Sequence, residues 1–154
     1  MSQLSHPMKM KARLLTSAIA ALLLSACDPG VHLGWQKDFN GRVDDQCVEG
    51  ALQSVSPEVS RTTYVSQGSR GFPRGTEVTQ FNYLDPVTHN GYSLDLANLT
   101  NGKTHYVHQW SKLGTEIPDS EQAQVLPLLL RANEAVASAC GLSFAGSKPM
   151  VGPG

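Results

Sequence analysis

The dipeptide Asn101-Gly102 stands between two alternating segments, residues 92–99 and 103–110, and it restricts the fold more than any other feature of the chain. Asn-Gly is the strongest short signal for a β-hairpin, because both residues tolerate the positive φ of a two-residue type I′ turn. Such a turn pairs Thr100 with Lys103 and fixes every pair behind it, since a slip of one residue exchanges the two faces. On that register Leu94 and Leu96 lie opposite Gln109 and Val107, with Tyr92 and Asn98 at the ends, and this face is expected under helices. The other face carries Ser93, Asp95, Ala97 and Leu99 against Trp110, His108, Tyr106 and Thr104, and is expected to meet solvent. The same pattern also suits a sheet whose aromatics form the core, with the faces exchanged.

The flanking segments build on this hairpin. A helix is expected from Asp44, whose side chain can cap free backbone N–H groups; Cys47, Val48, Ala51, Leu52 and Val55 follow at helical spacing until Ser56-Pro57. Residues 61–67 and 76–84 read as strands around a loop over 68–75, and the second has Glu77, Thr79, Phe81 and Tyr83 on one side. A last helix covers 119–140, with Leu126, Leu130, Asn133, Ala137 and Cys140 on one face, Pro127 marking a kink or the true start, and Gly141 the end. Residues 27–43 read as a tether and 146–154 as a loose Pro/Gly tail. The expected fold class is α+β over residues 44–145: a four-stranded antiparallel meander with two antiparallel helices on one face, in the order α-β-β-β-β-α. Antiparallel helices bring the start of the first beside the end of the second, where Cys47 and Cys140 stand.

The N-terminus carries an address. Lys9, Lys11 and Arg13 precede an apolar run over residues 14–24 that Ser25, Ala26 and Cys27 close. The run falls short of the roughly 20 residues that span a bilayer, and its flanks are those of a secretory signal. Leu24-Ser25-Ala26-Cys27 resembles the lipobox of bacterial lipoproteins. The resemblance covers residues 8–27 and implies that signal peptide 1–26 is removed, that the Cys27 thiol is diacylated, and that the domain is lipid-anchored in the cell envelope, facing the periplasm. Met8 can serve as the start as well as Met1. Asp28 after that cysteine resembles the inner-membrane retention signal of enteric bacteria, which favours the inner over the outer membrane. Cys47 and Cys140 are the two cysteines left in an oxidising compartment, and a disulfide between them is expected, with a pair of buried free thiols as its rival.

The 154 residues allow one domain, and the formal net charge is −1. Three of the twelve basic residues belong to the signal, so nine face thirteen acidic ones afterwards, a net −4 that disfavours gripping nucleic-acid phosphates. The expected partner is therefore a protein of the periplasm or envelope, besides the membrane itself. Tyr106 and Trp110, interleaved with an opposed Asp95–His108 pair, resemble a binding hot spot. Cross-strand packing alone accounts for such pairs equally well. The enzymatic alternative is an envelope hydrolase using Asp95 and His108, but Ser93 lies on Asp95's own strand and no Gly-x-Ser-x-Gly elbow occurs. A passive structural lipoprotein is a third reading. His105 and His108, three apart on a strand, point to opposite faces; His32 falls in the tether and His89 in a turn, so neither a metal nor another cofactor is expected. Gly68-Ser69-Arg70-Gly71 lacks the lysine and spacing of a phosphate loop, although Arg70 and Arg74 could meet an anionic partner or lipid head group. Small size, address and the absence of catalytic motifs point to a binding module, either an immunity or inhibitor protein against an envelope-targeting toxin or an adaptor in an envelope complex.

Overall fold

The computed structural model describes residues 30–153. The signal, the lipobox and Cys27 lie outside the described residues. The elements are β1 (Gly30–Asn40), α1 (Asp45–Gln53), β2 (Val59–Val65), β3 (Glu77–Leu84), β4 (Gly91–Asn98), β5 (Lys103–Leu113), α2 (Asp119–Cys140) and β6 (Met150–Pro153). They form one antiparallel sheet in the order β2-β3-β4-β5-β1-β6, with helices making the fold α+β. The meander from β2 to β5 follows the expected order, but the sheet has six strands where four were expected.

Both additional strands come from segments read as irregular. The supposed tether is β1, paired with β5 from Gly30↔Leu113 to Asn40↔Lys103. Val31, Leu33, Trp35 and Phe39 alternate along it and are all buried, which is the period of a half-buried strand. The supposed loose tail contributes β6, which pairs with β1 from Val31↔Pro153 to Gly34↔Met150.

The hairpin register differs from the expected one by a single residue. Leu99 N–H donates to the Lys103 carbonyl at 2.7 Å and Gly102 N–H to the Leu99 carbonyl at 3.2 Å, so the loop holds three residues, Thr100 to Gly102. Gly102 has φ 78°, whereas Asn101 stays at negative φ and uses its side chain to accept from Lys103 N–H at 3.0 Å. A three-residue loop with glycine in the left-handed position replaces the type I′ turn, which needs positive φ twice. The pairs become Leu94↔His108, Asp95↔Val107 and Leu96↔Tyr106. Every β5 side chain thereby changes face.

One face of the sheet is covered by both helices. Phe81, Tyr83, Tyr92, Leu94, Leu96, Tyr106 and Trp110 join Val48, Ala51 and Leu52 of α1 and Val125, Leu128, Leu129, Ala132 and Val136 of α2 in a single core. Asp44 caps α1 by accepting from Gln46 N–H, and Gly141 ends α2 at φ 66°. Helix α2 runs unbroken through Pro127 and is rotated from expectation: Leu130 is exposed and Leu126 only partly buried, because the Val125–Leu129–Ala132–Val136 stripe is the better apolar face. Cys47 and Cys140 form a disulfide with Cα atoms 5.7 Å apart, tying the first turn of α1 to the last residue of α2.

Candidate partner-binding face

The register separates the residues that the two-residue turn would have joined. Tyr106 and His108 are fully buried and Trp110 is 7% exposed, all on the helix-covered face, so they form no open patch. Asp95 is on the other face, and the Asp95–His108 pair does not exist. His108 instead belongs to a buried chain of hydrogen bonds. Its Nε2 lies 2.5 Å from the Tyr83 hydroxyl and its Nδ1 2.6 Å from Asn133 Oδ1, which also accepts from the Tyr106 hydroxyl at 2.6 Å. Burial pushes the imidazole down to about 4, so it is neutral at physiological pH, with Nδ1–H donating to Asn133 and Nε2 accepting from Tyr83. Burial likewise holds the Tyr83 and Tyr106 phenols well above their ordinary range. This chain braces the core between β3, β5 and α2 and has no access to solvent.

Asp95, 1% exposed, anchors a second polar cluster on the face without helices. Its carboxylate accepts from Arg70 Nη1 at 3.0 Å, the Tyr64 hydroxyl at 3.0 Å and Gln80 Nε2 at 2.9 Å. Tyr64 is pushed up to about 12 by burial and by the charge of Asp95, so it remains a donor. A buried carboxylate is tolerable only with such a set of donors and a compensating cation. Arg70 supplies the cation while leaving 42% of its side chain exposed.

The loop that delivers Arg70 folds back over the sheet. Ser66 closes it, donating its N–H to the Thr76 carbonyl at 2.8 Å, accepting from Gly75 N–H at 2.8 Å and donating its hydroxyl to the Phe72 carbonyl at 3.1 Å. Phe72 is buried against Val78, Ala97 and Val107, and its ring meets His105 edge-on with centroids 4.7 Å apart. His105 pairs through Nδ1 with the Asp38 carboxylate and places Nε2 3.1 Å from the Arg70 carbonyl, so both ring nitrogens are engaged. Arg70 and Gly71 take φ of 54° and 76° to make the fold-back. A Cβ at Gly71 would stand 2.3 Å from Gln36 Nε2 and 2.7 Å from His105 Nε2, so only glycine lets the backbone approach this closely.

Away from the loop and Asp38, the face across β2 to β5 is polar. Register aligns Ser60, Asn82, Ser93 and Gln109 in one row across β2, β3, β4 and β5. A concavity of about 430 Å³ lies beside Ser60, Asn82, Ser93 and Ser111. A second, also about 430 Å³, lies between the loop and β1, bordered by His32, Gln36, Ser69, Arg70 and Gln109. Burial and the nearby Arg70 charge lower His32, against a hydrogen bond to the Pro153 backbone that raises it. The surface thus offers amides, hydroxyls and a fixed guanidinium, which suit hydrogen bonding to another chain's main chain and polar side chains.

Among the described residues, no three His, Cys, Asp or Glu side chains converge as metal ligands, and no helix is long and apolar enough to cross a membrane. Of Tyr106, His108, Trp110 and Asp95, expected to bind a partner, Asp95 alone lies on the uncovered side, with Ser93 and Ala97 of its own strand. Tyr64, Gln80 and the Asp38–His105 pair were not foreseen. No family model, curated protein or solved structure matches the chain.

Proposed function

We propose that this is a lipid-anchored envelope protein, facing the periplasm, whose domain works by binding a protein partner rather than by turnover. The basic patch, short apolar run and lipobox-like Leu24-Ser25-Ala26-Cys27 support the address. One observation carries the binding role: the sheet face without helices holds a row of amides and hydroxyls across four strands beside Arg70, whose guanidinium a buried carboxylate holds in place. Donors fixed before the encounter lose little entropy on binding, which favours specific recognition. The roles that fit are an inhibitor or immunity protein covering the working site of an envelope-directed toxin, and an adaptor within an envelope complex.

The test is affinity capture of the full chain from its native envelope after mild cross-linking, beside an Asn82→Arg/Ser93→Arg variant. Both positions are the central, half-buried members of the row with side chains that still reach solvent, so the thermal midpoint is expected to stay within a few degrees. One stoichiometric partner, lost in the variant, supports the reading. A hydrolytic toxin as that partner selects the inhibitor role, whereas a resident envelope protein selects the adaptor role. Equal capture by both forms, or capture of nothing, overturns the assignment of this face.

A further inference from the structure

The chain enters the domain at one end of the sheet, and that end presents exposed apolar side chains. Gly30 begins β1 only three positions after Cys27, so the backbone of an acylated Cys27 stays within about 10 Å of Gly30 even by a fully extended link. Antiparallel pairing brings the end of β5, the turn between β3 and β4, and the end of β6 to the same level as Gly30. Two of these carry a strongly exposed apolar residue, Leu113 at 72% and Val87 at 82%, while Val151, 47% exposed, sits further in, beside Leu33. Val65, at the far end of β2, marks the opposite end of the sheet.

Val87 is presented rigidly. Asp85, itself buried, accepts from the Val87 and Thr88 N–H groups at 2.7 and 3.1 Å, and Asp85 N–H donates to the Asn90 carbonyl at 2.8 Å. The turn therefore holds Pro86-Val87 outward at no further ordering cost. The nearby cation Lys112 is paired with Glu121 at 2.6 Å, so it is not free to hold a charged surface. Exposed apolar side chains seat in the boundary between head groups and acyl chains.

We infer that the sheet end formed by Val87 and Leu113 rests on the lipid surface, with the acylated Cys27 holding it there. This rests on the proposed anchoring at Cys27 and goes beyond it, because an anchor alone leaves the domain free to tumble. The far end of the sheet, with Val65, then points away from the membrane. The polar face stands upright beside the bilayer, open to a partner arriving laterally or from the periplasm.

The test uses the full chain, produced with its own processing in bacterial cells and reconstituted into vesicles of phosphatidylethanolamine and phosphatidylglycerol. Nitroxide labels are placed one at a time through Val87→Cys, Leu113→Cys and Val65→Cys, all on exposed side chains, and mass spectrometry reports the state of Cys27. With Cys27 acylated, collisions with a water-soluble nickel chelate are expected to fall severalfold at positions 87 and 113, relative to detergent-free domain, and to stay unchanged at 65. Acylated protein whose three positions remain equally accessible overturns the orientation and leaves the anchoring reading intact. Unmodified Cys27 on protein that stays out of the vesicles overturns both.

Discussion

Two buried polar residues, one on each side of the sheet, carry the sharpest energetic expectations. Asp95→Ala leaves Arg70, Tyr64 and Gln80 facing a vacated carboxylate site and is expected to cost about 3 kcal/mol in urea unfolding. Asp95→Asn, which keeps an acceptor, is expected to cost less, and equal midpoints for wild type and alanine variant would dismiss the cluster as a structural anchor. His108 predicts a pH dependence. Its folded-state pKa of about 4 lies below the unfolded 6.5, so between those values the unfolded chain holds a proton that the folded chain lacks. Its contribution is complete above pH 6.5 and is lost as pH falls toward 4, on the order of 3 kcal/mol in all. Urea titrations at pH 7, 5.5 and 4 read this loss, and His108→Gln is expected to flatten the slope in that window.

Among the elements, the disulfide and the two overlooked strands matter most. Reducing Cys47–Cys140, which closes a span of 93 residues, is expected to lower stability by about 2–5 kcal/mol, read as a drop in thermal midpoint on adding reductant. The capped start of α1, the glycine stop of α2 and the order β2 to β5 were legible because each rests on local chemistry: Asp44 as a cap, Gly141 at positive φ, turn residues between alternating runs. Strand β1 was legible too, in Val31, Leu33, Trp35 and Phe39, but the Asp28-Pro29-Gly30 turn signal and the nearness of Cys27 outweighed that alternation. The site was lost at one dihedral. Asn101 kept negative φ and capped Lys103, and that single choice buried Tyr106, His108 and Trp110 while leaving Asp95 on the other side. Local propensity does not decide between two- and three-residue loops; the decision belongs to the core, which gains Tyr106 and Trp110 against the helices. Asp95's partners lay equally beyond reach, since Arg70 arrives on a loop whose fold-back depends on the room at Gly71.

For the molecule as a whole, the sheet has two unlike sides: one is covered by helices, the other carries the Asp95 cluster and the polar row. The placement of β1 between β5 and β6 has a consequence in time as well as in space. A chain is delivered N-terminus first, whether from a ribosome or through a membrane pore, and its first strand then has no neighbour until residues 103–113 have emerged and no second one until 150–153. Long-range pairing of this kind makes closure slow and late. The first strand is therefore left open until β5 is delivered, and the last four strand residues act as the clasp that shuts behind it.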